Sequence, residues 1–245
     1  MTEMGRRIAI AIETSGRVGS AAICMNGVVI DERVFEQGMK HASGLFQSLD
    51  SMFQSAGVLP CEIEEIYVSI GPGSFTGLRV GVTAAKTISM ASGARVVPVP
   101  SLLAIAHNVV NDAAIKLSEV AVILDAKRGQ IFGERFSRVD QTWVSSTPAC
   151  GRLTTASALL LEKTGAVHVL GEGVEEHRLA IDAHADTVMC DEAMSRGQAS
   201  IVAMLGMRAA ARGEFVAAES LVPAYIRIPE PEEKRLQAIK LSQTV

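Results

Sequence analysis

Apolar and polar positions divide this chain into short strands and amphipathic helices. The opening RIAIAIET (Arg7–Thr14) predicts a buried strand. SAAICM and VVIDERVF flank Asn26-Gly27, the dipeptide that best accepts the left-handed backbone of a two-residue hairpin. Met39, Ala42, Leu45, Phe46, Leu49, Met52, Phe53 and Ala56 then recur at spacings of three and four, the stripe of an amphipathic helix, with Gly57 at its C-terminal cap. EIYVSI predicts a strand, Ser74 caps the helix after it, ARVVPVP is a strand and LLAIAHNVV a helix.

The pattern then restarts. EVAVILDAKRGQIFGERFSRVDQTWV predicts three strands joined by turns. Helix SALLLEKTG, strand AVHVLGEG, helix VEEHRLAIDAH, strand DTVMCD and helix ASIVAMLGMRAAARG follow. Two α/β stretches, each beginning with three strands, suggest a duplicated lobe, over 1–116 and 117–222. A chance likeness of two α/β segments is the alternative. The tail, 223–245, carries Pro223, Pro229 and Pro231 and is expected to be an extended docking arm.

Composition narrows the class. Of 245 residues, 48% are hydrophobic and 20% charged, which excludes a disordered chain. The apolar runs break well short of a membrane span, and the start runs straight into a strand containing Glu13 rather than a secretory leader. The expectation is a cytoplasmic protein. Cys24, Cys61, Cys150 and Cys190 form no close pair and read as small buried apolar side chains. A net charge of −4 argues against a free-standing nucleic-acid binder, though a local basic patch is compatible with it.

The candidate chemistry centres on SIGPGSFTGLRVGVTAAKTIS, Ser69–Ser89. It is no P-loop, because Leu78-Arg79 follows Gly77. Thr76 breaks the dinucleotide fingerprint, leaving only a loose variant that would bind a nicotinamide cofactor, and Pro72 breaks the nucleophile elbow. Gly77, Gly81, Ala84 or Ala85, and Ser92 share a helical face. Each interior glycine costs roughly 1 kcal/mol of helix stability relative to alanine, so a close approach is expected to offset it. The helix over 39–56 takes one face, and a foreign helix is the further expectation.

Glu13 and Asp125 end the leading strands of the two halves. Strand-end acids facing a cleft hold metal-phosphate in many phosphotransferases; acids bound to their own loop amides are the alternative. Gly171 and Gly173 would let backbone approach an adenine or ribose, or simply make a tight turn. His41 has Leu45 one turn on, so no H-x-x-x-H pair exists. His177 and His184, near Asp182 and Asp186, read as surface polar groups rather than a metal cluster. No catalytic residue and no metal ligand is assigned.

AIETSGRVGSAAI, HASGLFQSL, GPGSFTGLRVGVTAAK, PVPSLLAIA, LDAKRGQIF and PAYIR together resemble the bacterial TsaB (YeaZ) family over nearly the whole chain. The resemblance implies an actin-like ATPase (ribonuclease H-like) fold of two duplicated lobes. It implies a non-catalytic subunit that pairs with TsaD, joined by TsaE, in making threonylcarbamoyladenosine beside the anticodon of tRNAs that read ANN codons. Contact with tRNA would be indirect, through the complex. The free chain would be a candidate homodimer. No cofactor of its own is implied, and ATP or ADP is compatible with the complex. The family's pairing surface is made of the two helices above, which nominates Leu45, Phe46, Leu49 and Phe53 on the first and Gly77, Arg79 and Gly81 on the second. On that reading Gly81→Leu blocks association and leaves the fold intact. The competing class is an enzyme in its own right, an actin-like small-molecule kinase or a metallopeptidase-like protein.

Overall fold

The computed structural model describes residues 6–36, 41–109, 118–140, 142–147 and 151–227. Met39, Cys150 and the tail from 228 onward lie outside these residues, as does the side chain of His41.

The alternating stretches form two mixed sheets. The first holds β1 (Ile8–Glu13), β2 (Val18–Met25), β3 (Val28–Glu36), β4 (Ile63–Gly71) and β5 (Arg95–Pro100), in the order β3-β2-β1-β4-β5. β1, β2 and β3 pair antiparallel, while β4 runs parallel to β1 and β5 to β4. Asn26 and Gly27 turn the β2–β3 hairpin at φ +51° and +81°, the left-handed pair that this turn demands.

The second sheet holds β6 (Glu119–Asp125), β7 (Ile131–Val139), β8 (Thr142–Ser145), β9 (Arg152–Thr154), β10 (Val167–Leu170) and β11 (Thr187–Met189). Its order is β11-β10-β6-β7-β8, with β9 also on β7. Each sheet therefore has a central leading strand, an antiparallel hairpin on one side and parallel strands on the other. This is the duplicated α/β layout of the actin-like, ribonuclease H-like fold.

The helices are α1 (His41–Ala56), α2 (Phe75–Ser92), α3 (Ser101–His107), α4 (Ala156–Leu161), α5 (Arg178–Asp182) and α6 (Ala199–Ala211). Ser74 caps α2 by accepting from the Gly77 N–H at 3.2 Å, and Gly93 ends it at φ +78°. α1 and α2 cover one face of the first sheet, packing Leu45, Met52, Val82 and Ala85 on Ile8, Ile10 and Ile12. Burying each of these side chains larger than alanine contributes about 1.5–3 kcal/mol.

Two further faces are covered crosswise. α6, from the second half, packs Val202 and Ala203 against Ala9, Ala11, Tyr67 and Val97 of the first sheet. α3, from the first half, packs Leu102 and Ile105 against Val120, Val122 and Phe136 of the second. The packing therefore crosses the break expected between 116 and 117. A pattern restart marks where a repeat begins; which sheet a helix covers depends on apolar faces that complement each other at a distance. α4 and α5 cover the remaining face, with Leu159, Leu160 and Ile181 against Ile123 and Val169.

Cys24 is buried, and burial pushes its thiol up to about 12. Cys61 is exposed, against expectation, because its short 3₁₀ turn (Pro60–Glu62) buries nothing. Among the described residues no helix is long and apolar enough to cross a membrane.

Candidate functional site

The carboxyl ends of β1, β4, β6 and β10 meet between the sheets, where open α/β folds place their ligands. β1 delivers Glu13 and the turn Thr14–Arg17; β4 delivers Pro72–Ser74; β6 delivers Asp125 and Lys127; β10 delivers Gly171–Gly173. Ser15, Gly16, Arg17, Ser74, Asp125, Lys127 and Glu172 line a small cavity of about 230 Å³ there.

Glu13 does not reach that cavity. It is fully buried, and the Ser15 N–H and hydroxyl both donate to its Oε1 at 2.6 Å. Gly197 seals it, since a Cβ there would lie 2.6 Å from the Glu13 carboxyl carbon. Oε2 has no partner among the described residues, and burial pushes the pKa of the acid up.

Asp125 is engaged on both oxygens. Lys127 donates through its N–H at 3.0 Å and through Nζ at 2.6 Å, and His177 Nε2 lies 3.4 Å away. Burial alone would raise its pKa, but Lys127 and then His177 outweigh burial and hold the carboxyl below the ordinary range. The N–H of Arg17 donates to both oxygens of Glu172, at 2.9 and 2.7 Å, while its guanidinium pairs with Glu176. Burial raises the Glu172 pKa. A Cβ on Gly16 would meet Glu172 Oε1 at 2.7 Å. A turn that could offer an N–H to a phosphate holds a carboxylate from the second half of the chain instead.

These residues do not fit a nucleotide in this arrangement. Its phosphates would meet the carboxylates of Asp125 and Glu172, and the cations beside them, Lys127 and Arg17, are already paired with Asp125 and Glu176. Gly171 and Gly173, nominated for adenine or ribose, follow β10 and pack directly against β6. A Cβ on Gly171 would be 2.3 Å from Ile123 O, and one on Gly173 would be 2.6 Å from Asp125 N. Their smallness lets the loop close on its own sheet. Among the described residues no three His, Cys, Asp or Glu side chains gather to hold a metal.

The helical layer corrects the second set of candidates. Leu45, Leu49 and Phe53 are core residues. Gly77 and Gly81 are buried against the turn after β1: a Cβ on Gly77 would lie 2.0 Å from Thr14 O, and one on Gly81 2.3 Å from Thr14 Oγ1. The small side chains admit this chain's own backbone, not a foreign helix, and Gly81→Leu would disturb the fold rather than spare it. Phe46, 47% exposed, and Arg79 remain on the outside. Arg79 stacks over Phe75 at 4.4 Å, and Phe75 packs on Tyr225 with centroids 5.2 Å apart. The Ala224 N–H donates to Ile70 O at 2.7 Å, fixing the start of the tail beside α2, and Arg227 donates to Ala126 O and Gln130 Oε1.

Sequence reasoning did not single out Lys127, Glu172 or Tyr225. Glu172 stood between two glycines already under inspection; its carboxylate partner, Arg17, is too distant in sequence for spacing to reveal.

The family profile described as "TsaD: tRNA N6-adenosine threonylcarbamoyltransferase" matches residues 36–227. The chain is 27% identical over 234 residues to the tRNA threonylcarbamoyladenosine biosynthesis protein TsaB of Bacillus subtilis (strain 168), covering 94% of this chain and 99% of that protein. It is 26% identical over 140 residues to TsaB of Haemophilus influenzae, covering 56% of each. The solved structure of YeaZ from Pseudomonas aeruginosa superposes with a TM-score of 0.76 at 20% identity, over 89% of this chain and 99% of that one, a likeness of fold. A profile matched across most of the length, with these relatives beside it, makes this chain a member of the TsaB (YeaZ) family, within the broader group that the TsaD profile describes.

Proposed function

We propose that this chain is a non-catalytic subunit in tRNA threonylcarbamoyladenosine biosynthesis, pairing with TsaD through the outer side of the α1–α2 layer, with TsaE joining the pair. The tRNA would then meet the complex rather than this chain alone. The observation that carries the reading is the state of the cleft: Asp125 and Glu172 are bound to groups of this same chain, and Glu13 is buried out of its reach. A centre that transfers a group needs side chains aimed at a substrate, and these are aimed at one another. The outer helical layer supports the pairing half of the reading. Phe46 and the Arg79–Phe75 stack are an exposed aromatic and an arginine, the residue types that anchor protein interfaces.

Co-purification with TsaD of the same organism tests it. Phe46→Glu combined with Arg79→Glu should weaken the complex about thirtyfold, the scale of losing one interface anchor, with far-UV circular dichroism and melting of the free chain unchanged. Leu179→Glu, on the 89%-exposed side chain of α5, is the control and should bind normally. Transfer of threonylcarbamoyl to tRNA should require TsaD and rise when this chain is added. Transfer by this chain alone would overturn the non-catalytic reading, and undiminished pairing of the double variant would overturn the surface.

A further inference from the structure

A second cavity, of about 390 Å³, lies away from the cleft, where α6 and β5 of the first sheet face α3 and β8 of the second. That volume falls in the range of small-molecule sites. Its walls are mainly apolar: Pro98, Pro100, Leu103, Trp143, Leu205 and Ala209.

Its polar groups are nearly all accounted for. Arg212 and Glu214 form a two-bond pair at 2.6 and 3.0 Å and cancel each other. His107 Nδ1 lies 2.9 Å from Leu103 O, so Nδ1 carries the proton, and Nε2 accepts from the Thr142 hydroxyl at 3.0 Å. Burial also lowers the pKa of this histidine, disfavouring its charged form. Two groups are the exceptions. The indole N–H of Trp143 is buried with no hydrogen-bond partner among the described residues. Arg208 lines the cavity, is exposed, and has no hydrogen bond or ion pair among the described residues. The site is an apolar hollow with one uncompensated guanidinium at its edge.

We propose that this cavity binds a small amphipathic monoanion, a carboxylate on a hydrocarbon body, with the carboxylate on Arg208 and the hydrocarbon against Trp143, Leu103 and Leu205. A cation would meet Arg208 with repulsion, and a strongly polar ligand would lose its hydration to walls that offer little beyond the Trp143 indole N–H in return. A guanidinium–carboxylate contact is charge-assisted and supplies the selectivity; apolar contact supplies the remainder. The ligand would touch elements of both sheets and so favour the arrangement described here over any in which they separate.

Trp143 is the chain's one tryptophan, so its emission reports this site alone. Octanoate, octylammonium and octanol, all below their aggregation concentrations, are titrated against the full chain while Trp143 emission and melting temperature are followed. Octanoate should give a saturable change in emission and a rise in melting temperature. Octylammonium should give neither, and octanol should bind at least about tenfold more weakly. Arg208→Gln, at an exposed and unpaired position, should keep the native melting temperature without ligand and lose about tenfold in octanoate affinity. The site is refuted if octanoate changes neither readout. The anion assignment is refuted if the three probes act alike or if Arg208→Gln binds octanoate as well as the native chain.

Discussion

Replacing Gly77 by alanine separates the two reasons a glycine can stand in a helix. In an exposed helix the change stabilises by about 1 kcal/mol, because alanine has the better helix propensity. Here the added Cβ would lie 2.0 Å from Thr14 O and 3.2 Å from Thr14 C, where ordinary contact begins near 3.4 Å. The obstacle is backbone, so no rotamer relieves it, and α2 must withdraw by more than 1 Å from the turn after β1. Overpacking of this kind costs typically 1–3 kcal/mol, and a displacement this large belongs near the top of that range. After subtracting the propensity gain, Gly77→Ala should lose about 2 kcal/mol, or about 4–8 °C of melting temperature for a chain this long. Gly81→Ala meets the Thr14 hydroxyl at 2.3 Å, a side-chain atom rather than backbone. It should lose less. Urea unfolding followed by far-UV circular dichroism measures both. A Gly77→Ala chain as stable as the native one would mean that the glycine is not there for this contact.

Two further perturbations test the buried acids. Glu13→Gln keeps an acceptor for Ser15 and removes a carboxyl whose pKa burial raises. Such a group binds its proton more tightly folded than unfolded, so stability falls as pH rises above the ordinary glutamate range. Native and Glu13→Gln chains should melt alike near pH 4, and the variant should melt higher at pH 7; the opposite order would refute the burial account. Tyr67→Phe removes the hydroxyl that donates to Glu65 Oε2 at 2.5 Å, leaving Arg7 and Arg95 on the other oxygen. A hydrogen bond to a buried charge is worth about 1.5–3 kcal/mol, and an unchanged urea midpoint would show that Glu65 does not need it.

Local chemistry was legible in the sequence. Asn26-Gly27, the Leu45–Leu49–Met52 stripe, Gly57 and the Ser74 cap each act through neighbours a few residues away, and each stands where spacing placed it. Long-range direction was not. The Gly77–Gly81 face could be read as small, but not as small toward Thr14, some sixty residues earlier. Glu13 and Asp125 could be placed at strand ends; that Ser15 and Gly197 enclose one, and Lys127 and His177 hold the other, depends on how the sheets meet. A stripe of apolar residues also does not say which of its members lie outermost. Phe46 belongs to the same periodic set as Leu45, yet one is solvent-facing and the other fully enclosed.

The exchanged helices α3 and α6 bear on inheritance as well as shape. Were the gene cut between its repeats, the amino-terminal fragment would keep α3 with no β6 to rest on, and would bare Ala11, Tyr67 and Val97 to water. Its counterpart would carry away α6, with Gly206 hollowed to receive a tyrosine ring it no longer has. After a duplication, such a reciprocal trade makes the halves mutual hostages: neither can be lost, shuffled or reused as a lone module, and the pair must melt together.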